Sequence, residues 1–252
     1  MSENLPFLLE ESALVTSADT DFTKTLRTGS LVNMIIQIAW HHAEALGFGM
    51  EFLHANKLVW MLSRMHLKVY YKPFWNSRLK LTTWPKGIHR LFYLRDFEVY
   101  DNSGQAVASV TSEWLIIDLR VRRPKLYQPE NTIFQKNKDK HAIETLVPQL
   151  KRTECTFETF RNKVVYSDID LNNHLTTTRY IDWMMDTFDL SFLEKSLCTG
   201  IVINFIREIP YGHEVAIKRF EISKGENYLF EYQSMDGTQL FFRGTLEFNS
   251  LK

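Results

Sequence analysis

The sequence predicts an α+β protein built from two copies of one unit, with two antiparallel sheets each wrapped around a long central helix. Three observations carry this reading. Each half holds one amphipathic helical stripe. Each stripe is followed by strand-like segments joined by turn signals. Markers recur at one spacing: Trp40 and Trp183, like Arg64 and Arg207, lie 143 positions apart. At 252 residues the chain suits one large domain or two of about 100–150 residues.

The elements follow in order. Residues 14–25 read as a leading strand. Leu31, Met34, Ile35, Ile38, His42, Ala45 and Leu46 then share one helix face, and Gly47 and Gly49 end it. Strand-like runs follow at 58–71, 78–84, 91–100 and 106–118, with Asn102-Ser103-Gly104 as a hairpin turn. The second half repeats the order. Residues 156–166 lead in, and Ile181, Met184, Met185 and Phe188 mark a helix over 176–188. Strands are predicted at 201–211, 214–223, 228–235 and 240–248, with Asp236-Gly237 as a turn. A sheet with one apolar face must bury it, and one long helix covers it. The boundaries are 1–125 for the first unit, 126–153 for a linker and 154–252 for the second unit. The linker is polar and aperiodic, with Pro129, Pro148 and the run Lys136-Asn137-Lys138-Asp139-Lys140.

Composition narrows the function. Lys plus Arg and Asp plus Glu number 30 each, so no global charge points to nucleic acid or an acidic membrane. Cys155 and Cys198 are too few for a disulfide framework. Residues 1–11 carry no basic leader, and no run of 18 apolar residues exists, so a soluble, cytoplasmic protein without a membrane span is expected. His41-His42-x-Glu44 lacks the spacing of a zinc helix, and no phosphate loop or serine elbow appears, so neither metal nor cofactor is required.

The densest chemistry lies at 168–174, Asp-Ile-Asp-Leu-Asn-Asn-His, just before the second helix. Helix N-termini point backbone N–H groups outward and favour developing negative charge. Asp and Asn are also ordinary capping residues. The repeat offers a test. At the 143-residue offset, Asp170 falls on Arg27, Asn172 on Gly29 and His174 on Leu31, so the first copy folds without the polar cluster. Glu208 has two readings that stand level: a solvent-facing strand residue, or a carboxylate sharing the face of Ile206 near the helix start.

The stretch 168–175 with Tyr180-Ile181-x-Trp183 resembles the acyl-acyl carrier protein thioesterases of plants and bacteria, whose pattern is D-x-D-x-N-x-H-V-N-N with a downstream Y-I-x-W. Trp114-Leu115-Ile116-Ile117 with Arg120-x-Arg122-Arg123 resembles the end of that family's first domain, and Arg207-Glu208 its R-E strand. The resemblance implies a tandem double hot-dog fold. It also implies a catalytic set of Asp170, Asn172, His174 and Glu208. Ile209 stands where plant members often carry Cys, Thr176-Thr177 replaces the family's Asn-Asn, and Asn173 replaces Gln.

The implied reaction is hydrolysis of fatty acyl-acyl carrier protein to free fatty acid. Glu208 and His174 would hold and deprotonate water, Asn172 would orient the carbonyl or the water, and Asp170 would fix the loop. Backbone N–H groups at the helix start would hold the oxyanion. Direct attack by a carboxylate through an anhydride is the competing route. Met34, Ile35, Ile38, Trp60 and Met61 are candidate walls for the acyl chain, or plain core. Arg120, Arg122, Arg123 and Lys125 are a candidate docking patch for the acidic carrier protein, or a solvated charge run. The partner is thus acyl carrier protein with its phosphopantetheine-linked chain, and pairing of two copies is compatible with the fold. An acyl-coenzyme A thioesterase and a non-catalytic acyl-binding protein are the alternatives.

Overall fold

The alternating strand patterns and turn signals translate into one large antiparallel sheet rather than two. The computed structural model describes residues 7–127, 132–152 and 156–251; residues 1–6, Pro129, Thr153 and Cys155 lie outside them. The first half runs β1 (Leu9–Leu14), α1 (Thr28–Ala45), α2 (Met50–Asn56), β2 (Leu58–Val69), β3 (Arg78–His89), β4 (Phe92–Asp101), β5 (Ala106–Asp118) and β6 (Arg123–Pro124). The second runs β7 (Glu158–Lys163), α3 (Thr177–Met185), α4 (Leu190–Glu194), β8 (Ser196–Phe205), β9 (Glu214–Ser223), β10 (Asn227–Ser234) and β11 (Leu240–Ser250). The strand order is β1-β3-β4-β5-β2-β8-β11-β10-β9-β7, with β6 on β5.

The two expected sheets therefore merge along β2 and β8. Each half-sheet would otherwise leave that strand as an open edge, and their pairing closes both. The seam runs from Arg64 opposite Asn204 to Lys68 opposite Gly200, symmetric about His66 opposite Val202. A pseudo-twofold axis passes there. The apolar faces of both halves contribute to one core cluster, which includes Ile35, Ile38, Phe97, Ile181, Met184, Phe230 and Phe242. A second cluster gathers Leu46, Phe48, Leu53, Tyr93 and Phe134 beneath α2.

Three expectations need correction. First, α3 spans nine residues, half the eighteen of α1, and stops short of the predicted 188. Thr187 Oγ1 donates to the Met184 carbonyl, and Arg219 reaches across from β9 to the Thr187 carbonyl. These contacts end the helix. They turn Phe188 onto Tyr228 and Phe248, with ring centroids 4.7 and 5.1 Å away. Second, β1 precedes the predicted 14–25 strand, whose place is taken largely by a 3-10 turn at Ser17–Asp19 and a tight loop. Third, the linker is pinned to the sheet. Ala142 N–H donates to Asp96 at 2.8 Å, Lys86 Nζ to the Ile143 carbonyl at 3.1 Å, and Leu150 N–H to Asn204 at 2.8 Å. Phe134, Ile143 and Val147 are buried beneath it. With the helix on one face and the linker against the other, most of β5 is buried on both sides.

The repeat is real, but its offset changes along the chain. β1 and β7, the 3-10 turns Ser17–Asp19 and Tyr166–Asp168, and the starts of α1 and α3 are each 149 positions apart. At the same spacing, bridge Thr20–Leu26 matches Ile169–Leu175, and left-handed Lys24 matches Asn173. Beyond β2 and β8 the offset is 136: Leu26 N–H bonds the Pro73 carbonyl, and Leu175 N–H the Ile209 carbonyl. The shorter helical segment removes thirteen residues from the second copy, and the 143-residue offset falls between the two true registers. Asp170 therefore corresponds to Asp21, Asn172 to Thr23, His174 to Thr25, and Glu208 to Lys72.

Among the described residues, no helix is long and apolar enough to cross a membrane, and no group of three His, Cys, Asp or Glu side chains is placed to hold a metal ion.

Candidate active site

The loop before α3 is organised by its two aspartates. The buried Asp168 accepts the Val165 N–H at 2.9 Å and meets Arg179 Nε at 3.2 Å, tying the loop to the helix. Asp170 Oδ1 accepts N–H bonds from Asn172 at 2.8 Å and His174 at 3.3 Å. Its own N–H donates to the His174 carbonyl at 2.9 Å. Such a local side-chain turn is what a short Asp provides. Asn173 takes the left-handed conformation with φ 61°, which Asn tolerates better than most residues. Leu175 is buried and anchors the exit.

Glu208 does not lie mid-strand. β8 ends at Phe205, and both Ile206 and Arg207 N–H groups donate to the single Phe241 carbonyl. That doubled bond bends the chain out of the ladder, and the strand-face argument from Ile206 lapses. The bend carries Glu208 to the loop: His174 Nε2 lies 3.2 Å from Glu208 Oε2. The histidine side chain is 30% exposed and the glutamate 54%, so both meet solvent. Beneath them the Tyr180 phenol is held well above its ordinary pKa by burial first, then by the negative charges of Glu208 and Asp170.

These residues open on a cleft of about 700 Å3. Asp170, Asn172, His174, Thr176, Thr177, Thr178 and Glu208 line one side. Helix α1 lines the cleft through Asn33, Ile36, Gln37 and Trp40, and Trp60, Met61 and Trp114 line it as well. Both halves of the chain thus contribute to the lining. The helices approach closely because α1 carries Gly29: a Cβ there would sit 2.3 Å from Asp182 Oδ1. Among the described hydrogen bonds, the backbone N–H groups of Thr177 and Thr178 have no protein acceptor, so two donors at the start of α3 are available to the cleft.

The structure brings all four candidate catalytic residues to this cleft. Of the candidate acyl-chain walls, Trp60 and Met61 line it. Ile35 and Ile38 are instead buried in the core, and Met34 packs against that core. The α1 face on the cleft is 33, 36, 37 and 40. It has helical spacing, but its mixed polarity reads in sequence as solvent-facing, and no local signal marks it as a wall of a cleft. Of the basic cluster, Arg120 Nε bonds Asp118 at 2.9 Å, and Lys125 lies 3.9 Å from the same carboxylate. The Arg120 hydrogen bond holds the Asp118 carboxyl down to about 2. Arg122 and Arg123 are exposed. None of the four lines the cleft. Cys198 is buried on β8, and burial pushes its thiol up to about 12, far from a nucleophile's range.

A family model for the acyl-ACP thioesterase N-terminal domain matches residues 8–132, and one for the C-terminal domain matches residues 151–241. Among curated relatives, the chloroplastic oleoyl-acyl carrier protein thioesterase 2 of Arabidopsis thaliana is 22% identical over 80% of this chain. The chloroplastic palmitoyl-acyl carrier protein thioesterase of Gossypium hirsutum is 25% identical over 75%. The chain spans 60% of the Arabidopsis protein and 48% of the cotton one. The crystal structure of an acyl-ACP thioesterase from Bacteroides thetaiotaomicron superposes with a TM-score of 0.80 at 24% identity, covering 96% of this chain and 98% of that one. The 12:0-ACP thioesterase from Umbellularia californica does so at 0.84 and 18% identity, covering 97% and 98%. With both domain models matched in order along its length, the chain belongs to the acyl-ACP thioesterase family.

Proposed function

We propose that this protein hydrolyses the thioester of fatty acyl-acyl carrier protein, releasing free fatty acid. The observation that carries the reading is the His174–Glu208 contact of 3.2 Å at a helix start, on a cleft lined in part by tryptophans. A thioester needs an activated water, a site for the oxyanion and a fixed carbonyl. Its leaving thiol, with a pKa of about 8.5, departs readily. Glu208 and His174 hold the water and take its proton as the oxygen attacks the carbonyl carbon. The Thr177 and Thr178 N–H groups receive the oxyanion. Collapse breaks the carbon–sulfur bond, and His174 returns the proton to the thiolate. Asn172, exposed beside the cleft, orients the carbonyl or the water. Asp170 acts through the loop it shapes.

The first half, residues 1–125, takes the acyl chain against Trp60, Met61 and the cleft face of α1, and residues 154–252 carry the catalytic groups. Arg122 and Arg123, the cations of the basic cluster without an ion pair among the described residues, are the docking candidates for the acidic carrier protein.

The test is release of free fatty acid, identified by mass, from a panel of acyl-acyl carrier proteins of different chain lengths, with acyl-coenzyme A of equal chain as comparison. Folded Glu208→Ala with near-normal hydrolysis would overturn the reading. Solvent oxygen-18 in an enzyme carboxylate after one turnover would replace the water route by the anhydride.

A further inference from the structure

Behind the cleft lies a narrow apolar slot of about 40 Å3. It shares Trp40, Trp60 and Trp114 with the cleft as common walls. One residue lining it is a cation. Along β4 the positions Tyr93, Arg95, Phe97 and Val99 alternate, and all four are buried, so an arginine occupies a place in an otherwise apolar row. Arg95 is 9% exposed. Its Nη1 donates to Thr83 Oγ1 at 3.2 Å and lies 2.9 Å from His42 Nδ1. Among the described residues Arg95 has no carboxylate partner. Its neighbour Asp96 is engaged by Lys86 instead, at 2.9 Å. Nε and Nη2 make no hydrogen bond among the described residues, and neither is fully enclosed. Those two nitrogens form one edge of the guanidinium, the edge that grips a carboxylate in two parallel hydrogen bonds.

We propose that the slot is a receptor for a carboxylate on the end of an extended alkyl chain, held by Arg95 through Nε and Nη2. A buried cation without a counter-ion is costly, and a ligand carboxylate removes that cost. Burial alone already pushes the Arg95 guanidinium down to about 10. Helix α1 lines the cleft from Asn33 and the slot as far as Ala43. At 1.5 Å per residue this is roughly 15 Å, a span suited to an acyl chain. The carboxylate has two sources. It is the far end of an ω-carboxyacyl substrate, or it belongs to a free fatty acid entering head first. The substrate arm rests on the hydrolytic reading above; the binding itself does not.

The experiment has two arms, each with wild type, Arg95→Met and Arg95→Lys. Arg95→Lys keeps the charge and loses the two-nitrogen edge, so it serves if Arg95→Met fails to fold. In the binding arm, quenching of tryptophan fluorescence compares dodecanoate with dodecanol. Wild type is expected to prefer the carboxylate by at least about ten-fold, the size of a lost charge-assisted hydrogen bond, and both variants to lose that preference. An equal carboxylate-to-alcohol ratio in wild type and variants overturns the proposal. In the kinetic arm, ω-carboxydodecanoyl- and dodecanoyl-acyl carrier protein are compared. An Arg95-dependent gain in kcat/KM for the carboxylated chain assigns the slot to substrate, and no gain beside Arg95-dependent binding assigns it to free fatty acid. A protein that binds dodecanoate through Arg95 but hydrolyses neither thioester sinks the hydrolytic reading and leaves the receptor standing.

Discussion

The loop 170–174 and its counterpart 21–25 share a backbone and differ in chemistry. Both begin with an aspartate whose carboxylate accepts the N–H two residues on: Asn172 in one, and Thr23 at 2.9 Å in the other. Both place a left-handed residue at the same point, Asn173 and Lys24. Both dock on the segment after the seam strand. There the resemblance stops. In the second copy the strand side offers Glu208 to His174; in the first it offers Lys72 to the turn aspartate itself, Nζ 3.0 Å from Asp21 Oδ2. The aspartate is therefore part of the fold in both copies. On the proposed reading, the chemistry would rest on two exchanged positions, Thr25 against His174 and Lys72 against Glu208. The first copy's cleft, lined by Asp21, Lys72 and α3, holds about 330 Å3 against 700 Å3 for the other.

This comparison can be broken by moving residues between the copies. Importing the first copy's side chain, as Glu208→Lys, should lower kcat by about 10^2–10^4-fold, the range for a lost general base. Its melting temperature should stay near wild type because Glu208 is exposed. Steady-state kinetics with acyl-acyl carrier protein decides it; a loss under three-fold would mean that Glu208 is a surface residue like Lys72. Asp170→Ala and Asp21→Ala come next. Each should cost about 1–2 kcal/mol of stability through the lost turn bonds, but only Asp170→Ala should also slow turnover. Equal activity in the two variants would detach the loop from catalysis. Gly29→Ala forces a methyl towards Asp182 and should cost about 1–3 kcal/mol by overpacking, read by denaturant titration. Gly29 and Asp182 both line the first copy's cleft, so the change is felt there.

The smallest effect is expected from Lys72→Met, about 0–1 kcal/mol for a partly exposed pair. Burial raises the Asp21 carboxyl, but hydrogen bonds from Thr23 and the charge of Lys72 outweigh it and hold the net value below the usual one. A lowered acid stabilises the fold above its unfolded pKa of about 3.9 and loses that contribution as pH falls through the folded value. The difference between wild type and Lys72→Met should thus be full at neutral pH and vanish in acid. A difference that persists in acid would assign it to packing of the lysine stem.

Much of this was legible in the chain. Strands announced themselves by alternation, and Gly104 and Gly237 marked their hairpins. The polar loop is visible as a cluster, and the family pattern singles out Glu208, which the structure places 3.2 Å from His174. The misreadings share one physical origin, tertiary contacts that local pattern does not carry. The stripe continues to Phe188, yet Arg219 ends α3 earlier from a distant strand. Ile206 and Glu208 look like one strand face, yet the Phe241 carbonyl draws in two successive N–H groups and bends the chain. The repeat was detected with a rigid offset, although the second copy is thirteen residues shorter between helix start and strand end. A rigid offset therefore sets Asp170 against Arg27, whereas the backbone pairs it with Asp21.

The seam through His66 and Val202 has a further consequence. Were this sheet assembled from two identical chains, positions 72 and 208 would hold the same residue, and any substitution would be written into both clefts. Joining the halves on one polypeptide breaks that obligation. One cleft is free to keep a lysine that locks its turn while the other keeps a glutamate that reaches its histidine, and each can change without the consent of its twin.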